Sequence, residues 1–311
     1  LWRKVIYWIY NFFTMKLSHE RKGEVSIFLS ALLWGLTPVV IILSYSSLSP
    51  LTSLYLSTLL ATMFFAIVLW AKGKFSEVKD AEAFEDIVKA TLINGIFYFV
   101  LYFFGLKYTS AGNISIIALT ETFFSYIFFN IWKKEYISLN HIIGCVLMLL
   151  GALIVLLPNF YRFQWGDILI LIAALIAPFG NFFQRRARRR VGSETIMFVR
   201  SGLTALVIFI VALLVGEGIS LPAITKSVWY LLISGLVMFG FTKILWLEGI
   251  HRISVTKSNA LSAVSPLFTL IFAWLILKQF PTFWQMLSIL PMFIGMFLLG
   301  RNGRTEVIQK L

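Results

Sequence analysis

The chain has 311 residues, 59% of them hydrophobic and only 13% charged, with a mean hydropathy of +0.87 and a net charge of +13. Soluble domains run at roughly 45–50% apolar and about 25% charged. A water-soluble chain of this composition would expose far more apolar surface than solubility allows, which excludes a cytosolic enzyme, a secreted domain, a disordered chain and a nucleic-acid binder.

The first 24 residues hold an apolar run, Ile6 to Phe13, that is too short to span a membrane. Flanked by Arg3, Lys4, Lys16, Arg21 and Lys22, and with no small-residue cleavage site after it, the segment reads as an interfacial helix rather than a signal peptide. The alternative is that Met15 is the initiator and residues 1–14 lie outside the native chain. A membrane-crossing helix needs about 20 apolar residues, and ten stretches meet this: 25–45, 51–71, 87–107, 111–131, 138–157, 166–185, 195–216, 226–246, 255–277 and 282–300. The runs are continuous rather than alternating, so a β-barrel is disfavoured. The expected fold is an all-α integral membrane bundle of ten transmembrane helices.

Lys and Arg set the orientation. Of 27, 21 fall on the N-terminus, the loops after spans 2, 4, 6 and 8, and the C-terminal tail, whereas the opposite loops hold Lys107, Arg162, Lys226 and Lys278. The bias puts both termini in the cytoplasm and the chain in a cell (inner) membrane, in contact with lipid. The cluster Arg185, Arg186, Arg188, Arg189 and Arg190 then caps span 6 near anionic headgroups, with no nucleic-acid partner needed. One cysteine, Cys145, precludes a disulfide framework, and His19, His141 and His251 lack metal-ligand spacing, so neither metal nor cofactor is expected.

An offset of 144 positions aligns Gly105 with Gly249, Ser110 with Ser254, Phe124 with Phe268, Phe128 with Phe272, Lys134 with Lys278, Met148 with Met292 and Gly151 with Gly295. Each half holds five spans, an odd number, so the halves are expected to insert in opposite orientations. Residues 25–157 would form a first five-helix repeat and 158–300 a second, after a cytoplasmic segment at 1–24 and before a tail at 301–311. Inverted repeats of this kind build many secondary transporters, with the substrate near the midplane.

In their order and spacing, "LLWG" in span 1, "YTSAGN" opening span 4, "TETFF" at its middle and "KKEYIS" at its end resemble the EamA-type branch of the drug/metabolite transporter superfamily. So do "ISVTKSNALSAVSPLF" in span 9, "FIGMFLLG" in span 10 and the position of Arg200. The resemblance covers about residues 25 to 300, with Thr122 standing where the family often has proline. It implies export of amino acids or related metabolites, with a small-molecule substrate and a monomer or homodimer.

Glu121 stands ten positions into span 4, about 15 Å along the helix and close to the midplane. A carboxylate there costs about 2.5–3.5 kcal/mol on insertion scales, so it should face a cavity, carry a proton or pair with a cation; the plainer reading is a neutral acid bonded to a neighbouring helix. Ser258, Ser262, Ser265 and Thr269 follow one another at helical spacing in span 9 as a candidate cavity wall, or as small residues that let helices approach. Asn94, Tyr98 and Tyr102 share a face of span 3. Trp34, Thr37 and Pro38 lie in the middle of span 1, and Pro178 and Asn181 in span 6. The two prolines are candidate hinges or fixed kinks. Arg200 would meet a substrate carboxylate or a helix-end carbonyl, and Lys243, near the predicted end of span 8, would snorkel.

The leading expectation is a secondary transporter working by alternating access, with protons as candidate coupling ion. No Gly-rich loop of the Lys-Ser/Thr type is present for ATP. A channel or lipid scramblase is compatible with the same bundle. A membrane-embedded enzyme would need a nucleophile–base pair or metal cluster within the spans, and none is found there.

Overall fold

The computed structural model describes residues 18–133, 139–156, 164–218, 220–253, 258 and 261–301. The N-terminal segment through residue 17, Lys134, Ser254 and the tail from 302 lie outside the described residues.

Among the described residues every regular element is helical. Seven helices are long and apolar enough to cross a membrane, and three shorter apolar ones accompany them. In chain order they are α1 (His19–Ser44), α2 (Pro50–Lys72), α3 (Ala81–Tyr108), α4 (Ala111–Ala118 continued by Thr120–Lys133), α5 (Leu139–Leu156), α6 (Trp165–Ala187) and α7 (Ser193–Leu214). Then come α8 (Leu221–Leu232, Ile233–Phe241 and Thr242–Arg252, end to end), α9 (Ser265–Leu277) and α10 (Phe283–Arg301). Each predicted span overlaps one of these helices.

Local chemistry fixes the ends. The Ser49 hydroxyl accepts from the Thr52 amide ahead of Pro50 at the first helical position, and Gly73 closes α2 at φ +64°. Asp80 caps α3 through the Ala83 amide at 2.8 Å, and Ser110 caps α4 through the Asn113 amide at 3.1 Å. Two helices end otherwise than the hydropathy suggests. α3 begins at Ala81, six residues earlier than predicted, because Ala81–Ala90 is amphipathic rather than uniformly apolar. α8 runs on to Arg252, so Lys243 lies more than two turns from its end.

The predicted continuous stripe of span 9 is interrupted. Ala263 and Val264 form a turn before Pro266, whose ring disfavours helical backbone ahead of it. Ser258 and Ser262 therefore precede α9, while Ser265 and Thr269 belong to it. α4 is also interrupted, at Leu119, without a proline; that position is 144 before Ala263.

Other features recur at or close to that offset. α3 carries a π-helical stretch at Thr91–Phe97, and α8 carries one at Ile233–Phe241. A Cβ on Gly105 would press on Ile170 and, at 3.2 Å, on the Gly166 carbonyl; one on Gly249 would press on Ile27 and, at 3.3 Å, on the Gly23 carbonyl. At the α5–α10 crossing, Gly151 faces Met292 and the Ser288 carbonyl, while Gly295 faces Met148 and the Gly144 carbonyl. Lipid supplies little hydrophobic drive between helices, so such close approaches, open only to residues without side chains, carry the packing.

At one end of the bundle, charges tie α2 and α3 to α6 and α7. Lys72 pairs with Glu194, Arg190 with Glu82, and Arg186 with Asp86 at 3.2 Å. Part of the arginine cluster is thus held by acids at the start of α3. Glu77, between α2 and α3, accepts from the Gly192 amide and the Thr195 hydroxyl, each at 2.6 Å. Burial pulls the Glu77 pKa up, but those two bonds and the Lys74 ammonium outweigh it and hold the carboxyl below its usual value.

Candidate transport cavity

A cavity of about 480 Å³ opens in the middle of the bundle. Its walls come from α1 (Trp34, Pro38), α3 (Tyr98, Tyr102), α4 (Glu121, Thr122), α6 (Asn181), α8 (Lys243, Trp246) and the region of α9 (Ser262, Ser265). Both halves of the chain therefore line it. Its size and its mixture of aromatic walls with a few polar groups suit a small organic molecule.

Glu121 is placed by the break at Leu119, which restarts α4 at Thr120 and puts the carboxyl in the first turn of the second piece. Asn181 Nδ2 donates to Glu121 Oε1 at 2.9 Å. Asn94 in turn donates to Asn181 Oδ1 at 2.9 Å and to the Ala177 carbonyl at 3.2 Å. The chain Asn94–Asn181–Glu121 thus fixes which way the Asn181 amide points. It depends on Gly180, since any Cβ there would collide with the Asn94 amide.

Nine of the residues singled out from the sequence line the cavity: Glu121, Trp34, Pro38, Tyr98, Tyr102, Asn181, Ser262, Ser265 and Thr269. Five do not. Thr37 is fully buried and donates to the Leu33 carbonyl one turn back at 3.3 Å. Asn94 stands behind Asn181, and Ser258 and Pro178 are buried in packing. Arg200 donates to Gln184 Oε1 at 2.7 Å, which orients its guanidinium toward α6.

Lys243 and Trp246 are cavity residues that the sequence reading left out. The Lys243 ammonium lies 4.3 Å from the Trp34 ring centroid, a cation–π contact rather than a path to the interface. The error had a local cause: a predicted helix end at 246 made Lys243 look terminal. Continued apolar periodicity through Leu247 and Ile250 was the available signal for a longer helix.

The long apolar helices are those of a multi-pass membrane protein, and a cavity lies among them. The chain belongs to the EamA-like transporter family, which matches it twice, over residues 21–157 and 164–301. It is 21% identical over 280 residues to the uncharacterized transporter YoaV of Bacillus subtilis (strain 168), covering 89% of this chain and 94% of that one. An uncharacterized transporter of Methanothermobacter thermautotrophicus is 24% identical over 300 residues, covering 91% and 87%. A solved crystal structure shares the fold with a TM-score of 0.66 at 18% identity, covering 90% of this chain and 96% of that one. Family membership implies a small-molecule substrate and a lipid environment.

Proposed function

We propose that this chain is a secondary active transporter that exports a small organic metabolite, an amino acid or related compound, by alternating access. Two five-helix repeats, 25–157 and 158–300, would sit in opposite orientations in a cell (inner) membrane, with both termini cytoplasmic. The observation that carries the reading is the cavity of about 480 Å³ lined by both halves, with a carboxyl, an ammonium and four aromatic rings on its wall.

The repeat reading is supported by features that recur at or close to 144 residues apart: the paired π-helical stretches, the breaks at Leu119 and Ala263, and the close approaches made at Gly105 and Gly249 and at Gly151 and Gly295, each to its own neighbouring helix. The two family matches of similar length point the same way. In an inverted-repeat carrier, rocking one half against the other exposes a midplane site to each side in turn. Pro38 and Pro178, inside α1 and α6, are the proposed hinges.

Glu121 is the proposed binding and coupling carboxyl, with protons as the coupling ion. Trp34, Tyr98, Tyr102, Asn181, Ser262 and Ser265 contact the substrate, and Asn94 acts by holding Asn181. The test is uptake of a labelled amino-acid and metabolite panel into proteoliposomes, with and without an imposed pH gradient. Saturable uptake that the gradient drives and Glu121→Gln uncouples supports the full reading. Saturable exchange indifferent to the gradient and to the mutation removes the coupling role from Glu121. Flux without saturation or counterflow would sink the carrier in favour of a channel or scramblase.

A further inference from the structure

Another cavity, of about 620 Å³, lies at the charged end of the bundle and shares no lining residue with the central one. Packing explains why it exists. Gly235 lets α8 close on α2, where an added Cβ would meet the Ser57 carbonyl at 2.7 Å, and the Ser57 and Ser234 hydroxyls bond at 2.6 Å. Beyond the π-helical stretch α8 packs on α1 instead, with Gly249 against Ile27 and Gly23 against Arg252. Its last turns thus lean away from α2, and a cleft opens between them, bordered by the connection from α6 to α7.

The cleft has two unlike walls. α8 gives an apolar strip, Ile244, Leu247 and Ile250, whereas Lys72, Lys74 and Arg188 bring cations to the rim. Most of that charge is already matched. Lys72 pairs with Glu194, Lys74 with Glu77 at 3.4 Å, and Glu248, which also lines the cleft, with Arg252. Arg188 is the exception. In the same arginine run Arg186 and Arg190 take acids of α3, but among the described residues Arg188 bonds the Val191 carbonyl, at 3.3 Å, and no carboxylate. Four Lys and Arg side chains against three carboxylates leave one positive charge over, at the mouth of an apolar slot.

Trp70, in the last turn of α2 and 77% exposed, sets the level of the cleft. Indole rings collect at the headgroup boundary, and Lys72 and Lys74 follow directly after it. A single negative charge joined to a hydrocarbon chain complements both walls. A phosphodiester carries one charge, and a planar guanidinium can grip two of its oxygens at once. Basic pockets between spanning helices recognise lipid headgroups in this way. A free anion would meet the rim but leave the α8 strip uncovered.

We propose that this cleft binds an anionic phospholipid, its phosphodiester on Arg188 and an acyl chain along α8. The site is independent of the transport reading above, and either can fail without the other. The test adds phosphatidylglycerol, phosphatidylcholine or inorganic phosphate to the full chain in detergent and follows the unfolding temperature. Phosphatidylglycerol should protect at concentrations roughly fivefold below those phosphatidylcholine needs, the value of one cation facing a headgroup. Inorganic phosphate should not displace it. Arg188→Gln should remove the preference, whereas Arg189→Gln, an exposed neighbour outside the cleft, should keep it. An unchanged unfolding temperature without lipid shows that Arg188→Gln is folded. Should that variant not fold, native mass spectrometry of the wild type, counting retained phosphatidylglycerol against phosphatidylcholine, decides the matter.

Equal protection or equal retention of the two lipids overturns the proposal. So does an equal loss of preference in Arg188→Gln and Arg189→Gln, which would assign the effect to diffuse surface charge. Inorganic phosphate that protects as well as phosphatidylglycerol would overturn the lipid in favour of a soluble phosphate.

Discussion

Two carboxyls within the helices of this molecule, Asp167 and Glu121, have opposite surroundings. Asp167, 2% exposed at the start of α6, accepts from the Thr109 hydroxyl at 2.5 Å and from Asn113 Nδ2 at 3.3 Å to each oxygen. The same Thr109 hydroxyl lies 2.7 Å from Gln164 Oε1, and Gln285 Nε2 on α10 donates to Asn113 Oδ1 at 2.7 Å, so the start of α4 is knotted to α6 and α10. Glu121 instead has one amide on one oxygen and a cavity in front of it. A carboxyl ringed by donors holds helices together; one left facing open space is available to a ligand. A carboxyl in a spanning segment does not by its identity declare which role it has; its neighbouring donors and its exposure do.

The contrast predicts different failures. Glu121→Gln should reduce transport by roughly a hundredfold or more while moving stability by less than about 0.5 kcal/mol, as a near-isosteric change beside a cavity; initial rates and thermal unfolding in detergent read the two separately. Asp167→Ala should instead destabilise the fold, by about 1–3 kcal/mol for each donor left without its acceptor, seen as a lowered unfolding temperature. Should Glu121→Gln unfold the chain while Asp167→Ala leaves it stable but inactive, the two roles would be exchanged.

Asn94→Ala probes the link between fold and cavity. Loss of one positioning bond, worth about 1 kcal/mol, should raise KM roughly fivefold with little change in maximal rate. Glu77→Gln sets the lower end of the scale, with a loss of about 0.5–1 kcal/mol. Because the folded Glu77 pKa lies below its unfolded value, its stabilisation is complete above that unfolded value, about 4.3, and fades as pH falls through the folded one. Wild type and Glu77→Gln should therefore differ in unfolding temperature at pH 7 and converge in acid.

The bundle was readable from hydropathy because lipid demands long apolar runs, and Glu121 because a carboxyl in mid-span is costly enough to need a reason. Asp167 drew no attention since it stands at the second position of a predicted span, where charge is cheap. Lys243 was misplaced by a helix end set six residues early. The pairing of Asn94 with Asn181 was invisible, since the two are 87 positions apart and nothing local to either names the other. The interruption before α9 was foreshadowed by Pro266, yet helical spacing of serines outweighed it.

The π-helical stretches in α3 and α8 have a consequence for how such chains can change over time. A π turn accommodates an extra residue without ending the helix, and each residue turns an α-helix by about 100°. Deleting one residue within Thr91–Phe97 would restore ordinary winding and swing everything beyond it around the axis. Tyr98 and Tyr102 would then rotate off the cavity wall while the helix stayed intact. The two stretches thus fix the azimuth of the residues after them within an unbroken helix.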